Sequence, residues 1–341
     1  MKVLQYHTND APDVQAECLR QLKEGYYDLL HIHGCWRLQA WTLARTALKH
    51  GVRLVFSPES QLEPWVMKEG YWNDKLPKEL LYQRWIARKS YAVIVQGKME
   101  EECLRRLGWN SRLVIIRNPK ITNTITQQEA EQQHQQVYRK VMDSNMLELM
   151  NEDTVHMLEL FIKAGITGDK RWIDEETTTL DTEQWRQILC YAHQEQLTDV
   201  VRRGILVLRY DAPDIVASDI DYFVPDNYET PKSIESVIGS SFVSENARLL
   251  ATFRQFRKLW LRRRLAIAHL VELDKELRFH PFDEEHLCED LKEYHMLKMA
   301  ARLMQLMKEY TGLTEGFMPM APLNDRITRQ MRKQINNHLA I

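Results

Sequence analysis

Short apolar runs alternate with amphipathic segments along the first 120 residues, and this alternation constrains the fold more than any other feature. Between the apolar runs, residues 13–24, 36–49 and 98–107 carry apolar side chains at helical spacing. Strand–helix–strand units of this length predict an α/β fold with a parallel sheet covered on both faces. The five expected strands are residues 3–6, 29–33, 52–56, 91–95 and 113–116.

The alternation stops after Lys120. Residues 122–136 are rich in Thr, Gln and Glu, which fits either a linker or an exposed helix. From residue 137 onward the apolar spacing is helical, so we expect a domain at 1–120, a linker at 121–136 and a mostly α-helical domain at 137–341. The expected helices include 182–192, one long helix over 244–277 and another over 284–310, with a loop at 211–231.

Charge and cysteine content narrow the class of protein. The chain has 46 Lys and Arg against 48 Asp and Glu, so it lacks the overall basic character of a nucleic-acid-binding protein, and we expect no nucleic acid partner. Its five cysteines are scattered and form no Cys-x-x-Cys pair, which argues against a disulfide framework. No signal-peptide core and no apolar run of membrane-spanning length is present, so we expect a cytoplasmic protein.

Five segments of the first third resemble, in order, the N-terminal, acceptor-side domain of family four retaining glycosyltransferases. They are DLLHIHGCW at 28–36, VRLVFSP at 52–58, LEPW at 62–65, YAVIVQGKMEEECLRRLGW at 91–109 and RLVIIRNP at 112–119. The resemblance implies a Rossmann-like sheet that forms one half of a two-domain GT-B fold. It also implies transfer, with retention, from a nucleotide-sugar donor to a sugar or glycolipid acceptor in polysaccharide or glycoconjugate biosynthesis, with no other cofactor.

The expected site lies where the strands end, because ligands of open parallel sheets bind beyond the carboxyl ends of the strands. Gly34 lets the backbone approach a ligand closely, and the start of the following helix offers N–H groups to an anion. His33 can donate to a sugar hydroxyl or phosphate, or simply satisfy a neighbouring carbonyl. Trp36 and Trp65 can stack on a sugar ring or acyl chain, or belong to the core. The candidate substrate-binding residues are His33, Gly34, Trp36, Ser57, Glu59, Trp65, Gln96 and Asn118.

Residues that can bind a metal ion lie along the second strand. His31, His33 and Cys35 alternate along the chain and therefore point to one face. They give only three ligands and have no Asp or Glu nearby in sequence, so we expect no metal site here.

The sequence departs from the family pattern at several positions, and these departures lead to two functional hypotheses. Glu59-Ser60 stands where the family commonly has His-Gly, and a carboxylate there should repel a diphosphate. The glycine-rich loop after the first strand is missing, and no second series of strands follows Asn118 to form a donor domain. One hypothesis is therefore a retaining glycosyltransferase, or a remnant of one, whose activity on its own is left open by the missing donor domain. The alternative is a non-catalytic binding or scaffold protein that contacts a protein partner through its helical half.

A basic segment lies within the helical half. Arg254, Arg257, Lys258 and Arg262 fall on a helix with an apolar opposite face, which suits peripheral contact with an anionic membrane, a nucleic acid or an acidic partner. The alternative is a solvated face that pairs with glutamates of neighbouring helices.

Overall fold

The structure is a computed structural model that describes residues 1–121, 124–172, 179–213, 220–226, 228, 230–239 and 242–340. The chain divides into two compact units. The first contains Met1–Glu148 and Ile220–Asp226, and the second contains Leu149–Asp219 and Asn227–Ala340. The expected domain boundaries at residues 120 and 136 remain a prediction.

A five-stranded parallel sheet forms the centre of the first unit and confirms the predicted α/β, Rossmann-like fold. The strands lie side by side in the order in which they occur along the chain. The register pairs His7 with His33, and His33 with Ser57, so three polar residues end neighbouring strands at the same level. The strands are β1 (Val3–His7), β2 (Leu29–His33), β3 (Arg53–Ser57), β4 (Ala92–Val95) and β5 (Leu113–Ile115).

The helices that connect the strands all cover one face of the sheet. They are α1 (Pro12–Lys23), α2 (Leu38–Lys49), α3 (Pro64–Lys68), α4 (Leu76–Lys78), α5 (Arg84–Lys89) and α6 (Lys98–Leu107), with π-helical turns on either side of α4. When parallel strands follow one another in sequence order, crossovers of the usual hand place every connecting helix on the same side. Accordingly, Leu22, Leu43, Ile86 and Leu104 share one buried core.

The opposite face of the sheet is covered by a later helix, α7 (Gln127–Asp143). It begins with a capping box formed by Thr126 and Glu129. Its buried residues Ala130, Val137, Tyr138 and Val141 pack against Leu29, Val55 and Ile94 of the sheet. Most of the segment expected as a linker or exposed helix is therefore the first half of α7, and residues 122–123 lie outside the described residues.

The second unit is helical, and no strand follows β5 in the parts of the chain that the structure describes. Two glycines bring α8 and α10 into close contact: a Cβ on Gly204 would lie 1.9 Å from the carbonyl oxygen of Phe161, and one on Gly165 equally close to that of Val200. Its helices are α8 (Glu152–Thr167), α9 (Thr182–Gln194), α10 (Thr198–Leu208), α11 (Ile234–Ile238), α12 (Glu245–Leu261), α13 (Ile267–Phe279), α14 (Glu284–Glu293), α15 (Leu297–Tyr310) and α16 (Arg326–Asn336).

The prediction of two long helices at 244–277 and 284–310 is wrong. The first region contains α12 and α13, and the second contains α14 and α15. His295, after α14, has φ 53°, and Arg263, after α12, has φ 58°. At His295 the N–H of Met296 bonds to the carbonyl of Leu291, which is the Schellman closure of a helix. Glycine usually occupies the left-handed position at the end of a helix. No glycine marks either break, so the apolar spacing predicts a continuous helix across each of them.

The structure describes the other helix expected in this unit and part of the expected loop. The helix expected at 182–192 is present as α9. Residues 214–219, 227 and 229 of the expected loop lie outside the described residues, and its other residues form no helix or strand. Within the described chain, the helices are too short or too polar to cross a membrane.

Candidate functional site

A stripe of polar side chains lies at the carboxyl ends of β1, β2 and β3, on the face covered by α7. Because side chains alternate along a strand, Gln5 and His7, His31 and His33, and Ser57 all belong to this face. Such residues are unusual inside a parallel sheet, where both faces are normally apolar. They make this edge of the sheet the candidate functional site.

His31 is fully buried and uses both ring nitrogens. Its Nδ1 lies 2.7 Å from the hydroxyl of Tyr138 on α7, and its Nε2 lies 2.7 Å from Oγ of Ser57. Burial, together with the nearby His33 and His134, holds the pKa of His31 well below its ordinary value, so this imidazole stays neutral. The hydroxyl of Tyr138 also accepts a hydrogen bond from Nε2 of Gln5 at 3.1 Å. His31 therefore connects the strands to α7.

His33 lies at the centre of the exposed part of the stripe. Its Nε2 is 2.5 Å from Oε1 of Gln5, and its Nδ1 is 3.1 Å from Oε1 of Glu59. Its ring stacks on that of His7, with the centroids 4.3 Å apart. The hydrogen bond with His33 lowers the pKa of the Glu59 carboxyl below its ordinary value, against an opposing effect of burial. Contact with His33 thus favours the ionised form of the Glu59 carboxyl.

The turn that carries Glu59 has an unusual backbone. Glu59 has φ 54° and Ser60 has φ 63°, and both lie in the left-handed region that residues with a Cβ disfavour. The hydroxyl of Ser60 lies 3.4 Å from Oε1 of Gln96, the residue that follows β4. This contact joins the loops after β3 and β4, and so places the turn that carries Glu59 beside Gln96.

Glu100 is a buried acid beside this turn and is not among the site residues expected from the sequence. Its Oε2 accepts a hydrogen bond from the N–H of Gln96 at 3.2 Å. Burial raises the pKa of Glu100 to about 7, although the backbone N–H groups of Gln96, Leu62 and Ser60 oppose the rise. A glutamate in the first turn of a helix that directly follows a buried strand is the sequence signal that could have indicated it.

Gly34 occupies a position that only glycine fits. Its φ is 88°, and a Cβ would lie 2.1 Å from Oγ1 of Thr8. Its N–H donates to the carbonyl of Ser57 at 2.8 Å. The next two N–H groups donate to the side chains of Gln61 and Gln83, each at 2.9 Å. Protein acceptors thus occupy three successive N–H groups before α2, and Gly34 serves the close packing of two loops.

The two candidate tryptophans differ in environment. Trp36 is half-buried and packs against the core formed by the connecting helices. Trp65, in the first turn of α3, is 56% exposed. Of these two candidates, Trp65 is the one that presents an open ring on which a sugar can stack.

Asn118 lies apart from the stripe. It follows β5, which is separated from β2 by β3 and β4, a distance of about 14 Å at the usual strand spacing. Its Oδ1 accepts a hydrogen bond from the N–H of Lys120 at 2.9 Å. A single cleft that joins His33 to Asn118 stays a prediction.

His31, His33 and Cys35 do not offer three available metal ligands. Both nitrogens of His31 are already bonded. Cys35 is buried, its Sγ lies 3.8 Å from the carbonyl of Pro58, and burial raises the pKa of its thiol well above the ordinary value. The protonated thiol is a poor metal ligand, since the thiolate is the form that binds.

The side chains of the basic segment in the second unit have different environments. The guanidinium of Arg254 lies over the ring of Tyr294, 4.0 Å from its centroid. Lys258 and Arg262 line a cavity of about 210 Å³ together with Lys232 and Arg264. Among the described residues, the lining of this cavity contains no carboxylate.

Residues 5–119 match the family described as Glycosyl transferase 4-like domain. The first unit therefore contains a glycosyltransferase 4-like domain, as the sequence motifs indicated, and the helical unit lies outside the match. No curated protein and no solved structure matches the chain.

Proposed function

We propose that the chain is a glycosyltransferase-like protein of polysaccharide or glycoconjugate biosynthesis, and that it binds a sugar or glycolipid acceptor at the carboxyl edge of its sheet. The family match over residues 5–119 supports the proposal, because the polar stripe lies within this segment apart from its contact with α7. His7 supplies an exposed imidazole for hydrogen bonds with sugar hydroxyls, and Trp65 supplies an exposed aromatic face.

The second part of the proposal concerns the donor. A retaining transfer from a nucleotide sugar needs a donor site, and the described part of the helical unit contains no parallel sheet to build one. The catalytic form of the proposal therefore requires a donor site supplied by a protein partner. Without such a partner, the chain acts as a binding or scaffold protein that keeps the acceptor fold.

Glycan binding tests the first part. The chain is applied to a glycan array, and the best ligand is then measured by titration calorimetry. Trp65→Ala should weaken binding about tenfold or more, because it removes the exposed aromatic surface on which the sugar ring packs. Trp72→Ala is the matched control, because Trp72 is 77% exposed on a neighbouring helical turn. Equal affinity of the native chain and Trp65→Ala would contradict the proposed acceptor site.

Nucleotide-sugar binding separates the two forms of the proposal. We expect weak or no binding of uridine- or guanosine-linked sugars by the native chain in chelator-treated buffer. The double substitution Glu59→His with Ser60→Gly restores the family pattern and should strengthen any residual binding. Ser60→Gly alone isolates the backbone effect. Tight binding by the native chain would instead establish a complete donor site.

A membrane role of the helical unit is proposed on the basis of its basic cavity. Four cationic side chains converge there, and convergence of like charges favours an anionic partner such as a phospholipid headgroup. Lys258→Glu with Arg262→Glu should abolish sedimentation with phosphatidylserine-containing vesicles. Arg329→Glu with Lys333→Glu, on exposed positions of α16 with the same spacing, is the control. Equal sedimentation of both variants would exclude this surface.

A further inference from the structure

Three potential metal ligands converge at the outer end of the polar stripe: His7, His33 and Glu59. One donor atom from each residue lies within 4.8 Å of the other two. We propose that these residues bind a divalent transition-metal ion of the zinc type. The proposal concerns this cluster alone and does not depend on the proposed sugar chemistry.

The backbone fixes the three ligands in place. His7 and His33 are register partners at the ends of β1 and β2, and Ser57, the register partner of His33, ends β3 two residues before Glu59. The left-handed backbone at Glu59 and Ser60 reverses the chain at this point. Holding two successive non-glycine residues there is energetically unfavourable. Strain of this kind is characteristic of ligand sites, where the surrounding structure maintains it.

The hydrogen-bond chain around the stripe determines which nitrogen of His33 is available. Nε2 of Gln5 donates to the hydroxyl of Tyr138, so Oε1 of Gln5 is the atom that faces His33. An oxygen acceptor requires a proton on Nε2 of His33. The other nitrogen, Nδ1, then faces the carboxylate of Glu59 at 3.1 Å.

Two electron-pair donors this close require a cation between them, either a second proton on the imidazole or a metal ion. Zinc–ligand distances of about 2.0–2.2 Å place two ligand atoms about 3.3 Å apart in a tetrahedral site. The observed 3.1 Å between Nδ1 of His33 and Oε1 of Glu59 is close to this value. The bond from Nε2 to Gln5 is also the kind of outer contact that orients a metal-binding histidine.

His7 completes the set. Its ring now lies nearly parallel to that of His33, at an angle of 18°, so it has to rotate for both ring planes to include one metal ion. Rotation is possible because His7 is exposed. Three protein ligands leave a coordination position open, as in zinc sites that bind water or a ligand oxygen.

A second cluster of similar composition lies in the helical unit and provides a control. Glu245, Glu276 and His280 also approach within 4.8 Å of one another. There, Arg248 already supplies the positive charge, at 2.7 Å from Glu276 and 4.0 Å from Glu245. We therefore expect no metal at this second cluster.

Zinc titration of the chelator-treated full chain tests the proposal, with no nucleotide or sugar present. We expect one Zn²⁺ per native chain by calorimetry, and a visible absorption band of tetrahedral type when Co²⁺ replaces it. His7→Ala and Glu59→Gln should each weaken zinc binding about tenfold or more. His280→Ala should bind zinc as the native chain does.

Either of two binding results would overturn the proposal. One is the absence of zinc binding by the native chain. The other is unchanged affinity in both His7→Ala and Glu59→Gln. Nitrogen-15 NMR of the histidine rings is an independent test. With saturating zinc, Nδ1 of His33 should carry no proton. A proton that persists there would show that His33 and Glu59 form an ion pair instead. Glycan binding does not enter these measurements, so either proposal can fail alone.

Discussion

The hydroxyl of Tyr138 on α7 lies 2.7 Å from Nδ1 of His31 on β2, and 107 residues separate the two along the chain. The contact links the helix on the second face of the sheet to the strand that carries the central histidines. Because Tyr138 also binds Gln5, and Gln5 binds His33, the position of α7 determines how His33 is oriented.

Removing this hydroxyl should destabilise the first unit. Tyr138→Phe leaves Nδ1 of the fully buried His31 without its partner, and an unsatisfied buried group costs about 1–3 kcal/mol. Chemical denaturation monitored by circular dichroism measures the loss. Tyr82→Phe is the control, because Tyr82 is also buried but its hydroxyl has no hydrogen-bond partner among the residues described. Similar losses of stability in both variants would show that the hydrogen bond with His31 does not account for the effect of Tyr138→Phe.

Glycine at position 60 should stabilise the chain. Ser60 has φ 63°, a conformation that costs a residue with a Cβ about 1–2 kcal/mol relative to glycine. Greater freedom of glycine in the unfolded chain offsets part of this, so we expect Ser60→Gly to raise the free energy of unfolding by up to about 1 kcal/mol. Gly108→Ala is the reciprocal test: its φ is 61° and a Cβ there meets nothing within 4 Å, so it should destabilise by a similar amount. A loss of stability in Ser60→Gly would contradict this account.

Glu100 should make stability depend on pH. Its pKa is raised from 4.5 to about 7, so between these values the folded chain holds a proton that the unfolded chain has released. Stability should therefore fall as the pH rises from 4.5 to 7, by about 3 kcal/mol from this group, and then level off. Glu100→Gln should remove this contribution in urea titrations at successive pH values. Glu102→Gln, at an exposed position on the same helix, should keep the native slope.

The close approach of α8 and α10 should not tolerate a methyl group. A Cβ on Gly204 would lie 1.9 Å from the carbonyl oxygen of Phe161, so Gly204→Ala has to push two helices apart. Overpacking of this kind costs about 1–3 kcal/mol. Gly316→Ala is the control within the same unit, since its Cβ would meet nothing within 4 Å. Differential scanning calorimetry should give a lower melting temperature for Gly204→Ala only.

The sequence could predict the sheet because each strand is a short apolar run that ends at a polar residue, glycine or proline. The grouping of His33, Ser57, Glu59 and Gln96 at one edge follows from strand ends alone, since parallel strands end together, and their role as a binding site stays a prediction. The sequence could not predict the partners of His33, because Gln5 and Tyr138 are identified only when strand register and α7 are known. The resemblance to the family gains a structural reason at position 60, where the usual glycine suits a left-handed backbone.

The unbroken sequence order of the five strands has a consequence for fragments of this protein. All four crossover connections lie on one side of the sheet. Burial of the other side therefore depends on α7, which begins at residue 127. A fragment cut at residue 119, where the family match ends, would expose Leu29, Val55 and Ile94 to water. Such a fragment is expected to aggregate through this bare apolar surface. The segment defined by sequence similarity is therefore shorter than the segment needed to produce a well-behaved recombinant domain.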